Sequence, residues 1–360
     1  MKKLSILIPT YNRPAKLSRL LYYLNRLALK DMIPDFIEVI VADGSSTELQ
    51  ARTYNLTSDY FLNPLYSLRL LTVPEVSFVD RLKLLANSAR GQYVLYTGDD
   101  DLPIFDNIEY SIERLNKYIS LSAVAGRFIN ITGFGINKLC FSVAERPLSG
   151  FSLKNPSGLV RLGALVSLNS IGVSSLTYAI QRKDTVIDYY DIVSREQLFH
   201  GGMEFVHQVY TTLKGDIYFE NTPFIYRDVT YIGYIPDVAR EAPNTDDFPY
   251  LGLSAINLAA SMISESMSLS YEEAYEIIVS LVETSGQLQE ISHTVRAELE
   301  ALPIPSVEAT TYMAATAAWF TNLESCYPDE HVNLRRLIGS LPSSIRKRIY
   351  SMRSYMARAR

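Results

Sequence analysis

The chain of 360 residues is long enough for one large domain with an appendage, and 48% hydrophobic and 20% charged residues are typical of a folded protein with a sizeable core. Cys140 and Cys326 lie far apart in sequence, which excludes a disulfide framework or a cysteine metal cluster and favours a reducing, cytoplasmic location. No signal peptide or run of about 18 apolar residues is recognisable, so we expect at most peripheral contact with the cytoplasmic membrane.

Short apolar runs alternate with amphipathic segments over the first 230 residues. This alternation predicts an α/β fold with a doubly wound, mostly parallel sheet. The predicted strands, in chain order, are Leu4–Ile8, Phe36–Ala42, Leu68–Val73, Tyr93–Thr97, Ala123–Ile131, Lys138–Val143, Leu176–Gln181, Ile217–Glu220 and Phe224–Arg227. The predicted helices are Pro14–Leu29, Asp80–Ala89, Asp106–Ile119, Gly158–Leu168 and Met203–Lys214.

Three polar clusters directly follow predicted strands, at Pro9–Arg13, Asp43–Ser46 and Asp99–Asp101. Ligands of open parallel sheets bind at the carboxyl ends of the strands. We therefore expect the three clusters, although widely spaced in sequence, to converge on one crevice.

The acidic triplet Asp99–Asp101 is the most informative of these clusters. Three adjacent carboxylates repel one another unless a cation is near, and their oxygens suit Mg²⁺ or Mn²⁺. Such an ion can bridge a diphosphate and neutralise a departing nucleoside diphosphate. A solvated acidic turn that caps the next helix is the alternative interpretation.

The segments Leu4–Arg13, Glu38–Ser46 and Asn87–Asp101 together resemble the family 2 glycosyltransferases of the GT-A fold. Their counterparts in that family are the opening strand, the second strand with its Asp-Gly-Ser turn, and the strand that ends in the DxD motif. The resemblance covers about residues 1–110 well and continues more weakly to about 230. It implies a GT-A domain at 1–235. We expect a linker at 236–250, a smaller all-helical region at 251–330 and a basic tail at 331–360.

The resemblance also implies a role for particular side chains. Asp43 would accept a hydrogen bond from the nucleotide base, usually uracil. The diphosphate would lie near Arg81 and Lys83, for which solvated helix charges are the alternative. Asp101 is the favoured metal ligand, with Asp99 or Asp100 on the ribose, although the triplet leaves this register ambiguous and Asp99 is a second candidate for the metal. The remaining residues expected to line the nucleotide pocket are Pro9, Thr10, Tyr11 and Arg13.

An inverting transfer needs one general base, which deprotonates the acceptor hydroxyl as it attacks the anomeric carbon. The resemblance implies Glu204 for this role, in a segment where the family more often shows an acidic pair than Met203-Glu204. A Glu that stabilises the start of its own helix is the alternative. Some members of the family place a metal-binding His near the position of Arg227, and His200 and His207 are the nearest candidates here.

Basic charge is concentrated at the C-terminus, although the formal net charge of the chain is -5. Residues 331–360 hold eight of the 34 Lys and Arg and none of the 39 Asp and Glu. Within them, Ser343–Arg360 can form a helix whose apolar stripe is surrounded by basic side chains, as in helices that lie on anionic membranes. A solvated helix or a disordered basic tail would show the same pattern, and the acidic body argues against nucleic acid.

These inferences predict a metal-dependent enzyme that transfers a sugar from a nucleotide-diphosphate donor, most simply UDP-linked, to a hydroxyl of a cell-surface glycan or lipid-linked acceptor. Capsule, O-antigen and teichoic-type polymers are the glycans that the resemblance suggests. Two alternatives stay open. One is a catalytically inactive glycan-binding or scaffold protein with the same fold. The other is a nucleotidyltransferase, against which the absence of a Gly-rich basic loop after the first strand argues. The helical region could also mediate homo-oligomerisation.

Overall fold

The structure is a computed structural model that describes residues 2–106, 108–133, 139–143, 152–168, 176–196, 198, 200–228 and 253–282. The linker, the basic tail and the domain boundaries predicted beyond residue 228 lie largely outside these ranges and stay predictions. Within the described part of the chain, no helix is long and apolar enough to span a bilayer.

The described strands form one ten-stranded mixed sheet with the order β3-β2-β1-β4-β9-β6-β10-β5, in which β7 pairs with β6 and β8 with β10. Strands β1 to β4 are mutually parallel, and β6 and β10 are parallel to each other. Strand β9 is antiparallel to both β4 and β6. The six strands β1 to β4, β6 and β10 therefore all run in one direction. The strands are β1 (Leu4–Thr10), β2 (Ile37–Asp43), β3 (Leu68–Thr72), β4 (Tyr93–Tyr96), β5 (Leu102–Pro103), β6 (Leu121–Gly133), β7 (Leu139–Val143), β8 (Ser152–Leu153), β9 (Ile180–Arg182) and β10 (Asp216–Asp228).

Helices cover both faces of the sheet, as the sequence predicts for a doubly wound fold. Ile6 and Ile8 of β1 point into one hydrophobic cluster, whereas Leu7 points into the other. The described helices are α1 (Pro14–Ala28), α2 (Thr47–Leu62), α3 (Phe78–Ser88), α4 (Ile108–Lys117), α5 (Gly158–Leu168), α6 (Lys183–Val193), α7 (His200–Lys214) and α8 (Leu253–Met267). Residues 271–282 are also helical.

The described part of the C-terminal helical region packs directly on the α/β domain. Ala255, Ile256 and Ala259 of α8 are fully buried in the same cluster as Val206 and Val209 of α7. Small apolar side chains on one face of a helix allow close approach to its neighbour. Helix α8 therefore supports α7, the helix that carries Glu204.

Most predicted elements are confirmed to within a few residues, and the exceptions have local causes. Helix α3 begins at Phe78 rather than Asp80 because the Ser77 side chain caps it and accepts a hydrogen bond from the Asp80 N–H. Residues 176–178 form a turn before β9, so the apolar run predicted as a strand there is buried without pairing. The two short strands predicted around residue 220 are one strand, β10, with register shifts between Phe219 and Ile225.

Candidate active site at the carboxyl edge of the sheet

The three polar clusters converge, as expected, at the carboxyl edge of the sheet. Strand β1 lies between β2 and β4, and Thr10 pairs in register with Asp43. The loops that follow these three strands are therefore neighbours.

The first contact joins the β1 loop to the acidic triplet. The Thr10 hydroxyl donates to Oδ2 of Asp99 (2.7 Å), and Nη1 of Arg13 donates to Asp99 Oδ1 and Asp100 Oδ2 (both 2.9 Å). Nη2 of Arg19, one and a half turns farther along α1, donates to the Asp100 carbonyl (2.6 Å). Asp99 is thereby fixed in place by two side chains from strand β1 and its loop.

Asp99 is a buried carboxylate with an altered pKa. Burial raises its pKa to about 6; the charge of Arg13 opposes this rise, Asp100 adds to it, and the hydrogen bonds from Thr10 and Arg13 also oppose it. Burial alone would lower the pKa of Arg13, but the charges of Asp99 and Asp100 reverse that effect and the net direction is upward. Asp99 and Arg13 thus form an ion pair at neutral pH, and Asp99 is protonated in mildly acidic solution.

The second contact joins the β1 and β2 loops. The Ser45 hydroxyl donates to Oδ1 of Asp43 (2.5 Å), and the Ser45 backbone N–H donates to the same oxygen (2.9 Å). The Asn12 N–H donates to Ser45 Oγ (2.7 Å), and Asn12 adopts a left-handed φ of 56° that few non-glycine residues adopt. Two short loops from adjacent strands are therefore fixed against each other.

Arg81 enters the same space from the first turn of α3. Its Nη1 donates to the Thr10 carbonyl, and its guanidinium carbon lies 5.1 Å from the centre of the Tyr11 ring. Burial lowers the pKa of Arg81, and the neighbouring groups Asp43, Tyr11 and Asp99 only partly offset this effect. A Cβ at residue 44 would lie 2.5 Å from Arg81 Cδ, so Gly44 is the residue that admits this arginine.

The structure does not bring Lys83 to this cluster. Its Nζ lies 2.8 Å from Oδ1 of Asp191 and donates to Ser194 Oγ (3.3 Å), so the side chain faces the end of α6. Residues two apart on a helix point in different directions. The predicted role of Lys83 near a diphosphate stays a prediction without a supporting contact.

A pocket of about 330 Å³ opens beside Asp43. Leu70 and Thr72 of β3 form one wall, and residues of α2 form the other, among them Gln50 and Tyr54. Nε2 of Gln50 donates to the Asp43 carbonyl (3.0 Å). The pocket combines apolar walls with one buried carboxylate, a combination suited to a flat heterocycle that carries an N–H group.

The other end of the acidic triplet faces the second half of the sheet. Leu102 of β5 pairs with Tyr226 of β10 in an antiparallel register, so Asp101 and Arg227, the next residue on each strand, lie side by side. Burial would lower the pKa of Arg227, but the neighbouring groups Tyr178, Asp101 and Glu204 outweigh this effect and the net direction is upward. Arg227 also lies over the Tyr178 ring at 5.8 Å.

Glu204 belongs to this second group. Burial raises the pKa of the Tyr178 hydroxyl well above its ordinary range; Asp101 adds to the rise, Arg227 opposes it, and Glu204 also adds to it. Glu204 and Asp101 therefore lie within electrostatic range of the same two side chains. Helix α7 begins at His200, so Glu204 lies in its second turn. An acidic side chain stabilises the start of a helix most strongly from the first turn.

The histidines near α7 differ in what the structure shows of them. His207 is buried, its ring lies 4.8 Å from that of Tyr189, and burial lowers its pKa to about 4. It is a neutral member of an aromatic cluster at neutral pH. The side chain of His200 lies outside the described part of the structure.

The triplet offers carboxylate oxygens of the kind that a divalent cation prefers. A Cβ at Gly98 would lie 2.7 Å from Oδ1 of Asp100 and 3.2 Å from Oδ2 of Asp101, so both carboxylates turn toward the same space. Within the described residues, no group of three or more His, Cys, Asp or Glu is placed so that these residues alone could hold a metal ion. Mg²⁺ and Mn²⁺ sites that use one or two carboxylates plus substrate oxygens do not need such a cage.

With this geometry established, comparison with known proteins becomes informative. Residues 5–156 match the model of the family described as glycosyl transferase family 2. This region is a family 2 glycosyltransferase domain. No curated protein matches the chain.

Solved structures establish the fold of the domain. The chain is similar to S. aureus TarS 1-349 in complex with UDP-GlcNAc, with a TM-score of 0.53 and 16% identity over 98% of this chain and 87% of that one. The complex of the same protein with UDP gives a TM-score of 0.51, 16% identity and the same coverage. The longer TarS structure gives a TM-score of 0.50 and 15% identity over 98% of this chain, which spans 53% of its length. The domain has the GT-A fold.

Three residues of the site did not stand out in the sequence: Gln50, Tyr54 and Tyr178. Ser45 and Arg227 were noted there only as parts of longer segments, without a role of their own. Tyr178 and Arg227 lie more than 70 residues from the triplet in sequence, and strand order alone brings them to it. The Tyr-Arg sequence at the end of β10 resembles the close of the family's terminal hairpin, but it does not indicate that Arg227 lies beside the triplet.

Proposed function

We propose that this family 2 domain is a metal-dependent, inverting glycosyltransferase. It transfers a sugar from a UDP-linked donor to a hydroxyl of a cell-surface glycan or a lipid-linked acceptor. The observation that carries this proposal is the arrangement of three groups along one edge of the sheet: the Asp43 pocket, the acidic triplet and Glu204.

The donor would lie along this edge from the pocket to the triplet. Asp43 would accept the base N–H, and Tyr11 and Arg81 would contact the nucleotide between base and diphosphate. Arg13 already pairs with Asp99 and Asp100 and is half-exposed, so it can turn toward phosphate oxygens when they arrive. Thr10 would keep Asp99 oriented toward the ribose or the metal, and Pro9 would fix the direction of the chain as it leaves β1.

Asp101 would hold the Mg²⁺ or Mn²⁺ ion, with Asp99 or Asp100 assisting. When bound, the ion neutralises the developing charge of the departing diphosphate. Arg227 beside Asp101 supplies a permanent positive charge to the same region. The chain thus offers both a site for a metal and a fixed cation.

Glu204 would act as the general base. The acceptor hydroxyl attacks the anomeric carbon from the face opposite the diphosphate, and its proton passes to the Glu204 carboxylate as the bond to UDP breaks. One carboxylate suffices for such a single displacement, in contrast to the carboxylate pair of glycoside hydrolases. Gly202 lies two residues before Glu204 and leaves room for an acceptor near the start of α7.

Calorimetric titration of UDP, GDP, CDP and dTDP, each with and without Mn²⁺, tests the donor site. We expect one nucleotide, UDP, to bind with metal dependence to the wild type and not to Asp101→Ala. Absence of binding by every nucleotide to a folded wild-type protein would contradict the proposal and favour a scaffold role. Release of UDP from UDP-sugars by the wild type would then distinguish an active enzyme from an inactive relative.

A further inference from the structure

We propose that Ser45 is a positioning residue for base recognition. Its hydroxyl orients the Asp43 carboxylate toward the N3–H of a uracil ring and connects that carboxylate to the loop that carries Tyr11 and Arg13. This inference rests on the proposed function, since it concerns how the same site selects its nucleotide.

The hydrogen bonds of Ser45 determine where its hydroxyl proton is donated. A hydroxyl has one proton to donate and lone pairs to accept with. The lone pair of Ser45 Oγ accepts the Asn12 N–H, so its proton goes to Asp43 Oδ1. The direction of the chain is therefore fixed from Asn12 to Ser45 to Asp43.

The same contacts distinguish the two carboxylate oxygens of Asp43. Both hydrogen bonds from Ser45 reach Oδ1. Among the described residues, the hydrogen bonds to this carboxylate all fall on Oδ1, which leaves Oδ2 as the acceptor for a base N–H. Ser45 is only 1% exposed, so water does not replace its hydroxyl in the folded protein.

Ser45 also stabilises the conformation of the β1 loop. Asn12 has a left-handed φ of 56°, a conformation that costs free energy for a non-glycine residue. Its N–H is satisfied by Ser45 Oγ, so loss of the hydroxyl leaves this donor without its partner. The flanking residues Tyr11 and Arg13 would then lose part of their fixed placement.

A base analogue separates this role from a general loss of folding. In N3-methyl-UDP a methyl group replaces the hydrogen that Asp43 would accept, and the rest of the ligand is unchanged. Calorimetry with Mn²⁺ should show that the wild type binds UDP about tenfold more tightly than N3-methyl-UDP, as expected for one hydrogen bond to a charged group. In Ser45→Ala this ratio should fall close to one, and the affinity for UDP itself should fall about tenfold.

Ser46→Ala is the matched control. Ser46 is the adjacent residue, is half-buried, and its side chain makes no capping hydrogen bond at the start of α2. It should keep the wild-type ratio. Ser45→Thr, which retains a hydroxyl, should restore most of the ratio, whereas Ser45→Cys, with a weak donor of similar size, should not. Thermal unfolding of each variant shows which of them are folded.

The outcomes separate the two proposals. A folded Ser45→Ala or Ser45→Cys variant with the wild-type ratio would overturn the role of Ser45 and leave the proposed function intact. A wild type that binds UDP and N3-methyl-UDP equally well would also overturn it. A wild type that binds neither nucleotide would overturn the donor site as well.

Discussion

The two ends of the acidic triplet lie in different surroundings although they are two residues apart. Asp99 is buried, accepts hydrogen bonds from Thr10 and Arg13, and faces the parallel half of the sheet. Asp101 lies beside Arg227 and within electrostatic range of Tyr178, in the half built from β9, β6 and β10. Two identical side chains in one turn therefore contact different partners, because the turn crosses from one half of the sheet to the other.

This difference suggests a division of labour. The Asp99 side has fixed hydrogen bonds before any ligand arrives, as a pre-organised binding site requires. The Asp101 side brings together a carboxylate from the triplet, a carboxylate from α7 and an arginine, which are the groups that the proposed transfer would use. Substitutions on the first side should change affinity, and substitutions on the second should change rate.

Glu204→Gln should give the largest effect. Loss of a general base costs on the order of 10²–10⁴ in rate, so turnover of UDP-sugar should fall by that factor. The Kd for UDP should stay unchanged, since Glu204 lies on the second side. Rates of UDP release, measured with UDP-GlcNAc and UDP-glucose, and calorimetry test the two halves of this prediction. Full activity in the variant would assign Glu204 to a structural role.

Asp99→Asn should change the pH dependence of stability. Because the folded-state pKa of Asp99 is raised to about 6, its contribution to stability is complete below the ordinary carboxyl pKa and is lost as the pH rises through about 6. The unfolding free energy of the wild type should therefore decline relative to Asp99→Asn between about pH 4 and 7, by on the order of 2–3 kcal/mol. Urea unfolding along this pH series measures the difference. Asp31→Asn, at an exposed position after α1, is the control, and parallel curves for wild type and Asp99→Asn would contradict the prediction.

Arg81→Lys should weaken nucleotide binding by about tenfold without a comparable loss of turnover. A lysine keeps the charge but loses the planar group that lies over Tyr11 and reaches the Thr10 carbonyl. Arg90→Lys makes the same change at an exposed residue beyond the other end of α3 and should have no effect. An unchanged Kd in Arg81→Lys would show that this arginine only supports the fold.

Lys83→Met should give the smallest effect. The ion pair of Lys83 with Asp191 is partly exposed, so its loss should cost less than about 1 kcal/mol of stability. Nucleotide affinity should not change, because the side chain faces α6. A Kd for UDP that weakens as much as in Arg81→Lys would instead place Lys83 at the diphosphate, as the family resemblance implies.

Hydrophobic periodicity in the sequence indicated most of the fold but not all of its helices. The apolar face of α1, from Leu17 to Leu27, is buried as its spacing predicts. Helix α2 was not predicted, because exposed Tyr54 and Leu62 obscure its apolar face. Helix α6 was also missed, since Val186, Tyr189 and Tyr190 are mixed with acidic residues, and only the cluster between α3 and α7 explains their burial.

The sequence by itself determined the half of the site that we propose for the donor. Strand, turn and carboxylate are contiguous at Asp43 and at Asp99–Asp101, and parallel strands place such turns at one edge whatever the rest of the fold does. Only the tertiary structure decided the other half. Asp101 meets Arg227 because β5 pairs with β10, and Tyr178 and Glu204 join them from separate elements. Such contacts depend on strand order and register across more than 70 residues, which local periodicity does not encode.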